Sequence, residues 1–181
     1  TGSVKVFENG AEVASFASHA GEVTAVTVHA TGDIVASAGV DKSYVLYDLA
    51  TNTVVSQIFS DAGKKSPYET HISKPNPNQF YSALLSLSFH PDGHLIAAGG
   101  ADGQVKIFDV KTGAAAADYA MSGPVKCLFF SENGTYLAAV AAQSTTVSIW
   151  DLRSSNETKV LDTGSQVESI FWDYTGQFLL T

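Results

Sequence analysis

Apolar residues in this chain come in short runs, and each run is bounded by a polar turn. Val23 to Val28 alternates apolar and polar residues, the period of a strand with one buried face. Ile34–Gly39 is small and almost wholly apolar, Ser43–Tyr47 apolar and aromatic, and Val54–Phe59 apolar with polar breaks. The scheme recurs as Leu85–Phe89, Leu95–Gly99, Val105–Phe108 and Ala115–Tyr119. It recurs again as Val125–Phe130, Tyr136–Ala141, Val147–Trp150 and Thr158–Leu161. Val167–Phe171 and Phe178–Thr181 open a further round, and Gly2–Phe7 reads as the third strand of an earlier one. No helical period of useful length is present.

The turn after each first strand carries a glycine: Gly32, Gly93, Gly134 and Gly176, which stand 61, 41 and 42 residues apart. The shorter spacings match the roughly 40–45-residue unit of a WD-repeat propeller blade, a four-stranded antiparallel sheet. Each third strand ends in an aromatic residue and an aspartate: Tyr47-Asp48, Phe108-Asp109, Trp150-Asp151. The expected fold is therefore all-β, a WD-repeat β-propeller. Residues 1–18 would end one blade, 19–59, 82–120 and 121–162 would be blade units, and 163–181 would start another. Residues 60–81, with three prolines and many polar side chains, read as an inserted loop. Both ends fall inside a unit, so the chain reads as part of a longer ring.

Composition narrows the partners. The net charge is −8 and the pI about 4.9. Neither suits a phosphate backbone or an anionic membrane surface, which need clustered Lys and Arg. No apolar stretch approaches a membrane span. The single Cys127 permits no internal disulfide and points to a reducing compartment.

Candidate chemistry is sparse. His19, Ser37 and Asp41 are the residue types of a nucleophile triad, but the serine lies on no strand-to-helix elbow. WD blades characteristically join such residues by buried hydrogen bonds, with Tyr47 here in the place of the usual Trp. Asp102 and Trp150 hold the matching positions in later units, while the third unit has Gln143 where the others have Asp41 and Asp102. His29 and His90 occupy equivalent places on different blades, too far apart to share an ion, and His19, His71 and His94 lack ligand spacing. Gly99-Gly100 is followed by no helix and makes no phosphate loop. The second-strand residues Val35, Ala36, Ala97, Ala98, Ala138 and Ala139 are expected to line the central channel, leaving it without catalytic groups. No catalytic, cofactor or metal site is expected.

Glu22-Val23-Thr24 with His29-Ala30-Thr31-Gly32-Asp33 carries a resemblance. So do Ser88-Phe89-His90-Pro91-Asp92-Gly93 with Val105-Lys106-Ile107-Phe108-Asp109, and Phe130-Ser131-Glu132-Asn133-Gly134-Thr135-Tyr136-Leu137-Ala138 with Trp150-Asp151-Leu152-Arg153. In that order they resemble the pre-mRNA-processing factor nineteen family. The resemblance implies a nuclear protein with a U-box that recruits a ubiquitin-conjugating enzyme, a coiled coil that makes it a homotetramer, and a seven-bladed propeller. About four of those blades would be present here. It implies protein partners: spliceosomal NineTeen complex subunits and ubiquitination substrates, with a role in splicing and DNA repair. With the acidic composition, no direct nucleic-acid contact, no membrane contact and no cofactor are expected. Ligase activity would reside in the U-box, not in this segment.

One face of loops is expected to bind partners: Glu22, Lys42, Lys64, Lys65, Tyr68, Pro124, Lys126 and Glu168. The alternative reading is a substrate receptor of a cullin-type ubiquitin ligase, in which Arg153 of Trp-Asp-Leu-Arg would contact the adaptor, or a generic WD scaffold. An enzyme built on the propeller is the weakest reading.

Overall fold

A computed structural model describes residues 2–59, 80–154 and 156–181. Strands β1 (Val4–Glu8) and β2 (Ala11–Phe16) form a hairpin. Three four-stranded antiparallel sheets follow, each in sequence order. The first holds β3 (Val23–Val28), β4 (Ile34–Gly39), β5 (Ser43–Asp48) and β6 (Thr53–Phe59). The second holds β7 (Leu84–Phe89), β8 (Leu95–Gly100), β9 (Gln104–Asp109) and β10 (Ala115–Ala120). The third holds β11 (Val125–Phe130), β12 (Tyr136–Ala141), β13 (Thr146–Asp151) and β14 (Asn156–Asp162). A short pair, β15 (Phe171–Trp172) and β16 (Leu179–Leu180), begins the next sheet. Among the described residues no helix is long and apolar enough to cross a membrane.

Successive sheets stack through their first strands, β3 on β7, β7 on β11 and β11 on β15. The core lies between sheets rather than within one. Ala36, Ala38, Tyr44 and Leu46 meet Leu84, Leu87, Phe89, Ile96 and Phe108 at the first junction. Ala97, Val105 and Ile107 meet Val125, Leu128, Leu137 and Trp150 at the second. Ala138, Val140 and Val147 meet Val167 and Ile170 at the third. Val4 and Phe16 of the hairpin close on Val35, Val45 and Tyr47. Each first strand carries a bulge near its start, between Val23 and Ala25, Leu84 and Ser86, and Val125 and Cys127. Such bulges strengthen strand twist, which turns the blades about an axis.

Two strand-level expectations change. The second strands do not line a channel: Ala36, Ala97, Ala98, Ala138 and Ala139 are fully buried mid-sheet, with the sheets on either side pressed against them. Their smallness serves close approach of sheets. Gly99 shows how close, since a Cβ there would stand 2.5 Å from Val125 Cγ1. The strands at the inner edge are instead β3, β7 and β11. The expected strand at Val167–Phe171 shrinks to Phe171–Trp172, because the Val167 amide bonds the Ser144 carbonyl of the preceding sheet at 3.0 Å. That stretch is docked sideways rather than laddered.

Candidate functional site

In the first sheet a polar cluster is buried behind the rim. His19 Nε2 lies 2.7 Å from Ser37 Oγ, which lies 3.0 Å from the Tyr47 hydroxyl. His19 Nδ1 lies 3.0 Å from Asp41 Oδ1, and Asp41 also accepts the Ala20 amide at 2.8 Å and the Ser43 hydroxyl at 2.9 Å. Burial pushes the Asp41 carboxyl up, but the hydrogen bonds from His19, Ala20 and Ser43 outweigh it and hold it below its ordinary value. Ser37 and Tyr47 are wholly buried, so no substrate reaches this serine. The chemistry available is cohesion: a satisfied polar network is costly to leave half-made.

The other two sheets do without this cluster. Four residues before its first strand, where the first sheet has His19, the second has Phe80 and the third Met121. Opposite them, Ala98 and Ala139 replace Ser37. Phe80 packs on Phe108 with centroids 5.1 Å apart. Asp102 and Trp150 are not joined to the His19 cluster. Asp102 accepts the Gln104 amide at 3.1 Å in its own turn, and Trp150 stacks on Tyr119 of the preceding sheet at 4.9 Å. In the third sheet the turn is one residue longer, Gln143 takes a φ of 60°, and Ser144 Oγ accepts the Thr146 amide in place of the missing carboxylate.

The rim lies at the ends of the blades where the first strands begin and the second turn into the third. Glu22 sits there, its carbonyl accepting the Val40 amide at 3.0 Å, and Pro124 repeats the contact with Ala142 at 2.7 Å. Lys42 follows Asp41 with a φ of 64°. Lys126 forms an ion pair with Glu168 across two sheets. Lys64, Lys65 and Tyr68 lie outside the described residues. Arg153 is 71% exposed near the opposite end and folds back on Asp151, its Nη2 2.6 Å from Oδ2. That bond holds the Asp151 carboxyl low. Burial pushes the Cys127 thiol up, which keeps it from being a ready nucleophile.

The joints between sheets carried no signal that the sequence reading used. His29 Nε2 reaches the Gly93 carbonyl of the next sheet at 3.2 Å, and its Nδ1 accepts the Thr31 amide. His90 Nε2 reaches the Gly134 carbonyl at 2.9 Å. Each ring stands edge-on to the phenylalanine that ends the next first strand, Phe89 and Phe130. At the third joint Asn133 Nδ2 donates to the Thr175 carbonyl at 3.3 Å. Inner strand edges are finished the same way: Thr24 donates to the Leu84 carbonyl, the Leu128 amide to Ser86 Oγ, and Trp172 Nε1 to the Phe129 carbonyl. The repeated His-Pro/Ala turns could have shown the first two joints. Among the described residues no group of three or more His, Cys, Asp or Glu is placed to hold a metal ion.

Comparison with known proteins gives a family and relatives. The family described as Nucleolar protein 10-like, N-terminal domain, a β-propeller, matches residues 6–179. Pre-mRNA-processing factor 19 of Oryza sativa subsp. japonica is 32% identical over 165 residues, and that of Dictyostelium discoideum 34% over 169. Pre-mRNA-processing factor 19 homolog 2 of Arabidopsis thaliana is 33% identical over 162. Each match covers 89% of this chain but only 28%, 29% and 27% of the respective relative. The chain thus spans less than a third of the length of these relatives.

Proposed function

This chain belongs to the family of Nucleolar protein 10-like N-terminal domains, a β-propeller family, and from that membership we propose that it works by recognition, holding proteins on one rim of its blades. The observation that carries this reading is the rim itself. Glu22, Lys42, Pro124 and Glu168 stand on connections at one end of adjoining sheets, with Lys126 just inside the start of β11 and paired with Glu168. A mixed-charge rim on a rigid frame gives specificity more than bulk affinity.

In this proposal the partners are splicing proteins and the setting is the nucleus. The name shared by the relatives, Pre-mRNA-processing factor 19, supports that choice. The longer protein would bring ubiquitin-transfer chemistry through a U-box and tetramerise through a coiled coil, while this arc selects NineTeen complex subunits and substrates. A pull-down from nuclear extract tests it, with wild type beside Lys42→Glu/Lys126→Glu. The double variant is expected to lose identified spliceosomal subunits while its circular dichroism and melting point stay close to wild type. Retention of those subunits by the folded double variant overturns the rim. Their absence from wild type overturns the splicing assignment.

A further inference from the structure

The chain contains two Asn-Gly pairs in one and the same tripeptide, Glu8-Asn9-Gly10 and Glu132-Asn133-Gly134. Their surroundings differ. Asn9 caps the tip of the β1–β2 hairpin, and a Cβ built on Gly10 would meet nothing within 4 Å. Asn133 is exposed but hydrogen-bonded through both atoms of its amide. Its Oδ1 accepts the Thr135 amide at 3.0 Å and the Ser131 hydroxyl at 2.8 Å, and its Nδ2 makes the joint to Thr175. The Gly134 amide donates to the Ser131 carbonyl at 2.8 Å.

We propose that Asn133 is a site of spontaneous deamidation, gated by the joint between the third sheet and β15–β16, and that the reaction weakens that joint. Hydroxide takes the proton from the Gly134 amide, and the nitrogen attacks Asn133 Cγ. The Cγ–Nδ2 bond breaks, and ammonia leaves with a proton from water. Water then opens the five-membered imide at either carbonyl, giving an aspartate or an isoaspartate at position 133. Nothing is oxidised or reduced, and water is the only co-reactant. While the joint is made, the attacking nitrogen is engaged and the amide is held by three hydrogen bonds, so the turn must open first. Afterwards the donor to Thr175 is gone and a carboxylate oxygen faces a carbonyl oxygen, so attraction becomes repulsion. The joint built on His29 holds no asparagine, whereas the one built on His90 ends on the Gly134 carbonyl, in the same turn as Asn133.

The test ages the whole 181-residue chain at mildly alkaline pH, native and in full denaturant, and maps both products at both sites by peptide mass spectrometry. In denaturant the two sites should convert at comparable rates, since they share a tripeptide. In the native protein Asn133 should convert at least about tenfold more slowly than in denaturant, because its hydrogen bonds must break first, and Asn9 should slow less. Hydrogen exchange on Asn133→Asp supplies the second readout. Exchange should quicken several-fold across Phe171–Leu180 and stay unchanged in β1–β2. Equal native and denatured rates at Asn133 overturn the gating, and unchanged exchange in β15–β16 overturns the weakening.

Discussion

The first sheet depends on a few polar atoms that the other sheets replace with carbon. Removing one member of the His19 cluster leaves its partners buried and unpaired, which costs about 1–3 kcal/mol. Ser37→Ala, which strands His19 Nε2 and the Tyr47 hydroxyl, should lower unfolding stability by about that much. Chemical denaturation checks it, and the loss should exceed that of Ser154→Ala in an exposed turn. Acid should find the same cluster. Asp41 is held below its unfolded value of about 3.9. Its contribution is therefore whole above pH 4 and is lost as pH falls through the folded value. The denaturation midpoint of wild type should drop below about pH 4, and that of Asp41→Asn should drop less. Asp173 belongs to the same class: the Thr175 hydroxyl and then the Phe178 amide hold its carboxyl at about 2. Carboxyl NMR should show it still ionised where ordinary aspartates are protonated.

Strands were legible where turns repeat at a fixed period, but the faces of Val23–Val28 were not, since Val23, Ala25 and Thr27 are half-buried while Val26 and Val28 are exposed. What escaped was direction across the stack. Small residues in β4, β8 and β12 look alike whether they face a channel or a neighbouring sheet, and only the packing of β7 and β11 against them decides it. The joints escaped because the repeated His29 and His90 mark equivalent turns but not the backbone carbonyl that each ring reaches in the next repeat. A glycine series exposes them. Gly32, Gly93 and Gly134 all have positive φ, which by itself costs an alanine roughly 1–2 kcal/mol. A Cβ on Gly32 meets nothing within 4 Å, whereas on Gly93 it would fall 1.8 Å from His29 Nε2 and on Gly134 2.7 Å from His90. Gly32→Ala should therefore cost the backbone term alone. Gly93→Ala should cost distinctly more, and thermal melts of the two variants separate the contributions.

Among the described residues the main contacts of each sheet are with its neighbours, so stability should behave as a chain of nearest-neighbour terms. Amide exchange should be slowest in β8 and β12, which have a sheet on both faces, and fastest in β1–β2 and β15–β16. A uniform exchange profile would contradict the nearest-neighbour picture. The joints add a polarity to that chain. The second sheet carries both halves in one turn: His90, which reaches the Gly134 carbonyl of the next sheet, and Gly93, whose carbonyl receives His29 of the previous one. A unit that holds both halves of its own coupling can be duplicated or deleted in frame by recombination, and the remaining units still fit. Lineages could thus change blade number without inventing an interface, whereas a point substitution at one glycine turn would have no neighbour able to compensate for it.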